Sequence, residues 1–272
     1  MATIIRLLSP ILLLSALTLT TRAQKLPNKQ ETSIWAPANL KIDGKTTEWD
    51  NTFQASNRST DVSYTMANDD KNLYLLTYIT QPDAVFYKAM TGGITLVIQA
   101  GSQKVSVRYP VFSKKSPPTF ARLARNQALT GTDDDPILVK DNASLMDNAK
   151  DIEVIGVKGI DTLISIYNEY NIKAVGRFDV KQGYVYEMAI PLKYLGLTEG
   201  AKFNYQVLVN SGPSKYARSD AQMPRITGGR RADGTELTQA EVDDGNAKMG
   251  ILIAARYAGT DFSADYTLAK KP

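Results

Sequence analysis

The chain has no cysteine and no histidine. Without cysteine, no disulfide can staple the fold, and no thiol is present to carry a bacterial lipoprotein anchor. Without histidine, Ser-His-Asp and Cys-His catalysis, His-ligated zinc and His-Glu-x-x-His peptidases are all excluded. The hydrophobic content of 43% and the charged content of 22% predict a packed globule held by its core alone.

The first residues read as a leader and not as part of the fold. Arg6 gives a positive start, residues 7–19 are largely apolar, and residues 21–23 end in a small side chain that suits cleavage. The apolar run is shorter than the ~20 residues of a membrane span, so a signal peptide is favoured over an uncleaved anchor. We therefore predict a signal peptide at 1–23, a polar lead-in at 24–38 and one β-sandwich at 39–272.

The charge of the mature chain is nearly balanced. Removing Arg6 and Arg22 leaves 30 basic and 28 acidic side chains, a net charge of +2. This balance favours neither a nucleic acid nor an anionic membrane as a partner. After cleavage near Ala23-Gln24, we expect a secreted or periplasmic protein that does not insert into a membrane.

Strand-like segments dominate the mature sequence. Residues 62–67 alternate, 68–72 are turn formers and 73–80 are aromatic and β-branched, which predicts an antiparallel hairpin over 62–79. Because 73–79 is apolar at nearly every position, we expect this strand to be central and covered on both faces. Further strands are predicted at 39–42, 94–99, 105–109, 152–157, 170–180, 184–190, 203–210, 249–257 and 265–269.

Helix signals are few. Ser116-Pro117 marks the start of one short helix, Leu145 to Ala149 indicates a second, and 191–195 reads as one helical turn. Residues 211–244 predict mostly loop. Many short strands with few helices predict an all-β fold, an antiparallel jelly-roll-like β-sandwich with one or two short helices inserted.

Several motifs, in order along the chain, together resemble a known family. They are IDG at 42–44, EW at 48–49, NDDKNLYL at 68–75, GYVYEMAIP at 183–191 and FNYQVLVN at 203–210. This pattern is similar to family-9 carbohydrate-binding modules of the secreted bacterial type and to the related DOMON-like sandwiches. The resemblance implies a sandwich that binds sugars without cutting them, often beside calcium.

The resemblance also implies where a sugar would bind. In the best-known members two tryptophans clamp a sugar ring, one before the third core strand and one near the C-terminus. The corresponding stretches here hold Phe86 and Tyr87, and then Tyr257 and Phe262. Aromatic faces suit sugars because the axial C–H side of a pyranose is apolar. These four residues are therefore candidate ligand contacts, with packing in the core or at its rim as the alternative.

The two tryptophans of the chain are the remaining aromatic candidates. Trp49 follows a turn and precedes the strands, so we expect a core position, with a ligand platform as the alternative. Trp35 lies near the mature N-terminus and is either a lid on the core or a platform, and we include it among the candidate ligand contacts.

One acidic cluster invites a metal hypothesis. Asp133-Asp134-Asp135 supplies the hard carboxylate oxygens that calcium prefers, although the spacing is not that of an EF-hand loop. A solvated acidic loop is the alternative. Metal ligands therefore stay unassigned, and Ca²⁺ is the one cofactor considered.

These observations predict a secreted, non-catalytic carbohydrate-binding protein that holds a sugar or polysaccharide on aromatic side chains. One alternative is an extracellular interaction or structural β-sandwich without sugar affinity. Another is a glycoside-active enzyme, which requires a convergent pair of carboxylates that the sequence does not single out.

Overall fold

Two antiparallel sheets form the body of the molecule. The structure, a computed structural model, describes residues 25–81, 88–112, 130–212 and 226–272. The first sheet has five strands in the order β1-β2-β3-β9-β8 and the second has six in the order β11-β10-β4-β5-β6-β7. The strands are β1 (Ala55–Asn57), β2 (Val62–Asn68), β3 (Asn72–Ile79), β4 (Ile94–Ala100), β5 (Gln103–Val111), β6 (Asp151–Ile155), β7 (Leu163–Ser165), β8 (Lys173–Phe178), β9 (Tyr184–Pro191), β10 (Lys202–Val209) and β11 (Thr260–Thr267). The predicted all-β sandwich is confirmed.

The hairpin β2–β3 is present as the sequence predicts. Asp69 closes its turn, because one carboxylate oxygen accepts hydrogen bonds from the backbone N–H groups of Lys71 at 2.7 Å and Asn72 at 2.6 Å. β3 pairs with β2 on one side and β9 on the other. It is therefore a central strand.

The hairpin β8–β9 is built in the same way. Asp179 accepts hydrogen bonds from the backbone N–H groups of Lys181 at 3.0 Å and Gly183 at 2.7 Å. Every residue of β9 is buried. β9 is an interior strand between β3 and β8, its inner face packs in the core between the sheets, and its outer face lies under another layer of chain.

The main core lies between the sheets and is aromatic at one end. Tyr64 of β2, Tyr205 of β10 and Phe262 of β11 pack together, with ring centroids 4.6 to 6.5 Å apart. The two tyrosine hydroxyls lie 2.9 Å apart, and the Gln30 N–H donates to the Tyr64 hydroxyl. These buried hydroxyls thus have partners, as burial requires.

The described helices are α1 (Met90–Gly92), α2 (Pro136–Asn148), α3 (Leu192–Leu195) and α4 (Gln239–Tyr257), with a 3₁₀ helix at Thr47–Trp49. α3 is the predicted helical turn, and α2 contains most of the second helix predicted at 145–149 but begins nine residues earlier, because Asp135 caps it and Pro136 takes its first position. The helix predicted from Ser116-Pro117 lies outside the described residues.

Two strand predictions are wrong. Residues 39–42 form no strand, and the lead-in makes only an isolated bridge between Trp35 and Asn68. Residues 249–257 belong to α4, because Thr238 and Glu241 form a reciprocal capping box that starts a helix there. The predicted loop at 211–244 is thus also too long, since helix begins at Gln239.

Replacing Leu75 with alanine tests the central strand. Leu75 is 1% exposed in the core, so L75A is expected to cost about 2–5 kcal/mol of unfolding free energy in urea denaturation. Met146 on α2 is 58% exposed, so M146A serves as the control and is expected to cost less than about 0.5 kcal/mol. Similar losses for both variants would contradict a core position for Leu75.

Candidate functional site

A stretch of chain crosses the outer face of the first sheet. Its apolar side chains form a second, smaller cluster with the outward side chains of β2, β3 and β9. Trp49 is 5% exposed in this cluster, so the predicted core position is confirmed. The buried members are Ala36, Trp49, Ala67, Tyr74, Leu76, Val185 and Ala189. We call this stretch, residues 34–53, the crossing segment.

Glu187 of β9 fastens the crossing segment to the sheet. The Trp49 Nε1–H donates to its Oε1 at 2.8 Å, and the backbone N–H groups of Asp43 and Gly44 donate to its Oε2 at 3.0 and 2.7 Å. The side chain is 0% exposed. Desolvation by burial raises the pKa of Glu187 to about 7, against the opposing effect of the three donors.

Glu187 holds the crossing segment halfway along β9, so the outer face of the sheet stays uncovered on each side of the segment. On one side lies a cleft of about 270 Å³. Phe53 stacks on Tyr78 there, with ring centroids 5.6 Å apart and planes 8° from parallel, and both rings are half-buried. Register places Tyr78, Val185 and Arg177 side by side on β3, β9 and β8. We call this the ring cleft.

The rim of the ring cleft carries polar groups. The Tyr78 hydroxyl donates to Asp179 Oδ2 at 2.7 Å, and burial raises the pKa of Tyr78. Asn51 accepts a hydrogen bond at Oδ1 from Thr46, while its amide nitrogen makes no hydrogen bond within the described residues. Lys45, Thr47 and Lys181 complete this rim. An aromatic floor beside amide and charged donors is chemistry that suits a polyhydroxylated ring.

A second cleft, of about 750 Å³, lies on the other side of the crossing segment. Leu40, Ile42 and Tyr74 contribute to its floor, but Tyr74 is only 7% exposed and donates to Asp69 Oδ2 at 2.7 Å. This cleft therefore offers aliphatic surface and no open aromatic face of its own.

Trp35, one of the predicted ligand contacts, lines a pocket of about 250 Å³ next to that second cleft. Its ring is half-buried, and Asp70, Leu192 and Glu199 line both cavities. Trp35 is thus neither fully enclosed nor part of the ring cleft.

Phe262 is placed differently from the prediction. It is 6% exposed, and its ring packs on Tyr64 and Tyr205 inside the core. The alternation of β11 turns this position inward. A buried ring offers no face to a sugar, so Phe262 is a core residue in this structure.

Tyr257 ends α4 and is half-buried. β11 begins three residues later at Thr260, which pairs with Val209, and Val209 pairs with Ile94 at the start of β4. Tyr257 is therefore joined to the sheet end where β4 begins. Phe86 and Tyr87, predicted to share a site with it, lie outside the described residues, and that site stays a prediction.

The acidic residues at 133–135 do not act as a unit. Asp135 caps α2, accepting from the N–H groups of Ile137 and Leu138 at Oδ1 and of Thr130 at Oδ2, and these bonds, Thr130's first, lower the pKa of Asp135. Asp133 and Asp134 are exposed. Within residues 25–81, 88–112, 130–212 and 226–272, no three acidic side chains gather closely enough to hold a metal ion.

Comparison with known proteins finds a likeness among solved structures. No protein-family model and no curated protein matches the chain. Among solved structures, the chain is similar to a family-9 carbohydrate-binding module from Caldicellulosiruptor kristjanssonii in complex with glucose, with 14% identity and a TM-score of 0.30 over 68% of this chain and 80% of the other. A likeness this loose transfers neither a site nor a function. Of the helices that the structure describes, none has the length and apolar character to cross a membrane.

The raised pKa of Glu187 predicts that the free energy of unfolding depends on pH. Because the pKa of Glu187 rises from 4.5 unfolded to about 7 folded, the native state binds the extra proton between these values. The contribution of Glu187 to the free energy of unfolding is full below pH 4.5 and is lost as the pH rises through 7. The total loss is on the order of 3 kcal/mol. Urea unfolding from pH 4.5 to 8 measures this fall in stability.

Glu187→Gln is expected to remove this fall in stability with rising pH. The amide has one acceptor oxygen, so at least one buried donor loses its partner, and E187Q is expected to cost about 1–3 kcal/mol at pH 5. Glu199→Gln, at an exposed position, is the control and keeps the wild-type profile. A wild-type stability that is flat or rising across this range contradicts the assignment.

Proposed function

We propose that the protein is a secreted, non-catalytic carbohydrate-binding protein, and that the ring cleft is where it holds its sugar. The observation that carries the proposal is the partly exposed stacked pair Phe53 and Tyr78, edged by donors at Asn51 and Arg177. A pyranose lies with its apolar face on such rings while its hydroxyls meet the polar rim. The resemblance of the sequence to family-9 carbohydrate-binding modules supports the same class of ligand.

A binding role without catalysis is supported by the state of the carboxylates. A glycosidase uses two carboxyl groups that are free to exchange protons or attack the sugar. At the ring cleft, Asp179 has both oxygens engaged, one with the Tyr78 hydroxyl and one with two backbone N–H groups. Glu187 is likewise fully buried and bonded. Asp133, an exposed acid that also lines the cleft, is then a single carboxylate and not the pair that a glycosidase needs.

Two earlier elements of the prediction remain proposals. Phe86, Tyr87 and Tyr257 remain an alternative sugar site, and Trp35 a further platform beside the second cleft. Calcium as a cofactor also stays a proposal, without assigned ligands.

An extracellular protein-interaction role is the second candidate function. α4 carries Ile251 at 70% exposure and Leu252 at 62%, adjacent apolar side chains on the surface. Exposed apolar patches on soluble proteins often mark interaction sites. Absence of any glycan affinity would favour this reading.

Loss of the Phe53 ring tests the ring cleft. Phe53→Ala removes half of the aromatic floor, so affinity for the best ligand of a glycan array is expected to fall about tenfold in titration calorimetry. Tyr167 is 78% exposed elsewhere on the surface, and Tyr167→Ala is the matched control that should bind normally.

Tyr87→Ala separates the two proposed sites. If Tyr87→Ala abolishes binding while Phe53→Ala leaves it intact, the sugar binds at the Tyr87 site and the ring cleft is not the site. Melting temperatures of all three variants show whether a loss of binding reflects loss of fold.

The leader generates a separate prediction. We expect export with removal of residues 1–23, because the apolar run is short and ends in a small residue. Mass spectrometry of the exported protein should find Gln24 at the N-terminus. An intact chain retained in the membrane would rule out cleavage.

A further inference from the structure

The ring cleft carries a surplus of positive charge that the protein itself does not neutralise. Lys45, Arg177 and Lys181 line it, together with two acids, Asp133 and Asp179. Within the described chain, none of the three cationic side chains forms an ion pair or a side-chain hydrogen bond. Asp179 and Asp133 keep their negative charges, so three cations against two acids leave a surplus of one positive charge; the Asp179 oxygens are occupied by three neutral donors, and no cation pairs with them within the described chain.

Arg177 is the best placed of these cations. It is half-buried on the outer face of β8, with Val185 and then Tyr78 beside it across the sheet. Neighbouring strands lie about 4.8 Å apart, so the backbones of Arg177 and Tyr78 are separated by roughly 10 Å. Their side chains therefore border the same stretch of the outer face.

The stem of Arg177 is held in place by the crossing segment. A Cβ added to Gly44 would lie 2.6 Å from Arg177 Cβ and 3.6 Å from its Cδ, so the side chain passes directly over this glycine. Gly44 also has a φ of +77°, a conformation that favours glycine. The stem of Arg177 thus packs on Gly44, and the planar fork of a guanidinium matches a carboxylate in bidentate geometry.

We propose that the ligand of the ring cleft is an acidic sugar, a hexuronate whose ring lies on Phe53 and Tyr78 and whose carboxylate is bound by Arg177. This inference rests on the proposed function of the ring cleft. Lys45 and Lys181 add positive potential around the same point, and the Asn51 amide is free to meet a hydroxyl.

The test compares each acidic polysaccharide with its own uncharged form. Polygalacturonate, alginate and hyaluronan, and the methyl ester of each, are titrated against the mature protein in EDTA at physiological salt. Esterification keeps the ring and its apolar face but removes the charge. At least one acid form is expected to bind about tenfold or more tightly than its ester, in line with a hydrogen-bonded charge pair.

Variants at two positions of β8 assign the preference to one side chain. Arg177→Gln is expected to bring the affinity for the acid down to that of the ester, and Arg177→Lys to keep only part of the preference because it loses the fork. Lys173→Gln, an exposed cation four residues earlier on the same strand and face but at the second cleft, is the matched control and should retain it.

The outcomes separate this inference from the proposed function. Equal binding of acids and esters, lost in Phe53→Ala, overturns the uronate assignment and leaves sugar binding at the ring cleft intact. An acid preference that survives in Arg177→Gln but disappears in Lys173→Gln moves the carboxylate to the second cleft and also overturns the inference. If neither acids nor esters nor any neutral glycan binds, both fail together.

Discussion

The outer face of the first sheet depends on one buried carboxylate. Glu187 lies halfway along β9 on that face, and burying an unpartnered carboxylate there would be costly. Three N–H donors from the crossing segment offset that cost, two from the backbone at Asp43 and Gly44 and one from Trp49. Glu187 therefore holds the crossing segment on the sheet, and the segment supplies the hydrogen-bond donors that the buried Glu187 needs. Because the bonds are concentrated at the middle, the two ends of the face stay open as clefts.

Both clefts use a tyrosine that is oriented by a turn aspartate. Tyr78 donates to Asp179 and Tyr74 to Asp69, each at 2.7 Å, and each aspartate also closes the turn of its own hairpin. The difference lies in what covers the ring. Aliphatic side chains of the crossing segment pack over Tyr74, whereas Phe53 stacks on Tyr78 and leaves both rings partly exposed. The same tyrosine–aspartate hydrogen bond thus occurs with a core residue, Tyr74, at the second cleft and with a partly exposed ring, Tyr78, at the ring cleft.

Strands could be predicted from the sequence where the local pattern of side chains indicates one type of secondary structure. The stretch 73–79 is apolar at nearly every position, which correctly indicates a central strand, but that same uniformity hides which outward side chains remain uncovered. Tyr78 could not be distinguished from Tyr74 by pattern, because the distinction depends on where a segment some 30 residues away crosses the sheet. Arg177 was missed for the same reason.

Two predictions from the sequence, the strand at 249–257 and Phe262 as a ligand contact, differ from the structure for physical reasons. Residues 249–257 are rich in Ile and Leu, and periodicity alone does not separate a short apolar run from a helix. The capping box at Thr238 and Glu241 was the signal that decides it. Phe262 was assigned by position within a family pattern, yet the alternation that makes 260–267 a strand also turns Phe262 and Tyr266 inward. Pattern within the chain was the stronger guide.

The dimensions of the ring cleft bear on how such a protein would retain a polymer. About 270 Å³ lies below the roughly 300–1,000 Å³ typical of small-molecule sites, so the cleft fits about one sugar ring. Its groups come from β3, β8, β9 and the fastened crossing segment, so little ordering is required on binding. One ring nevertheless buries little surface, and the affinity for a monosaccharide is bounded accordingly. A polysaccharide that presents many equivalent rings offers repeated rebinding, and a shallow, preorganised site gains more from such a ligand than from any single sugar.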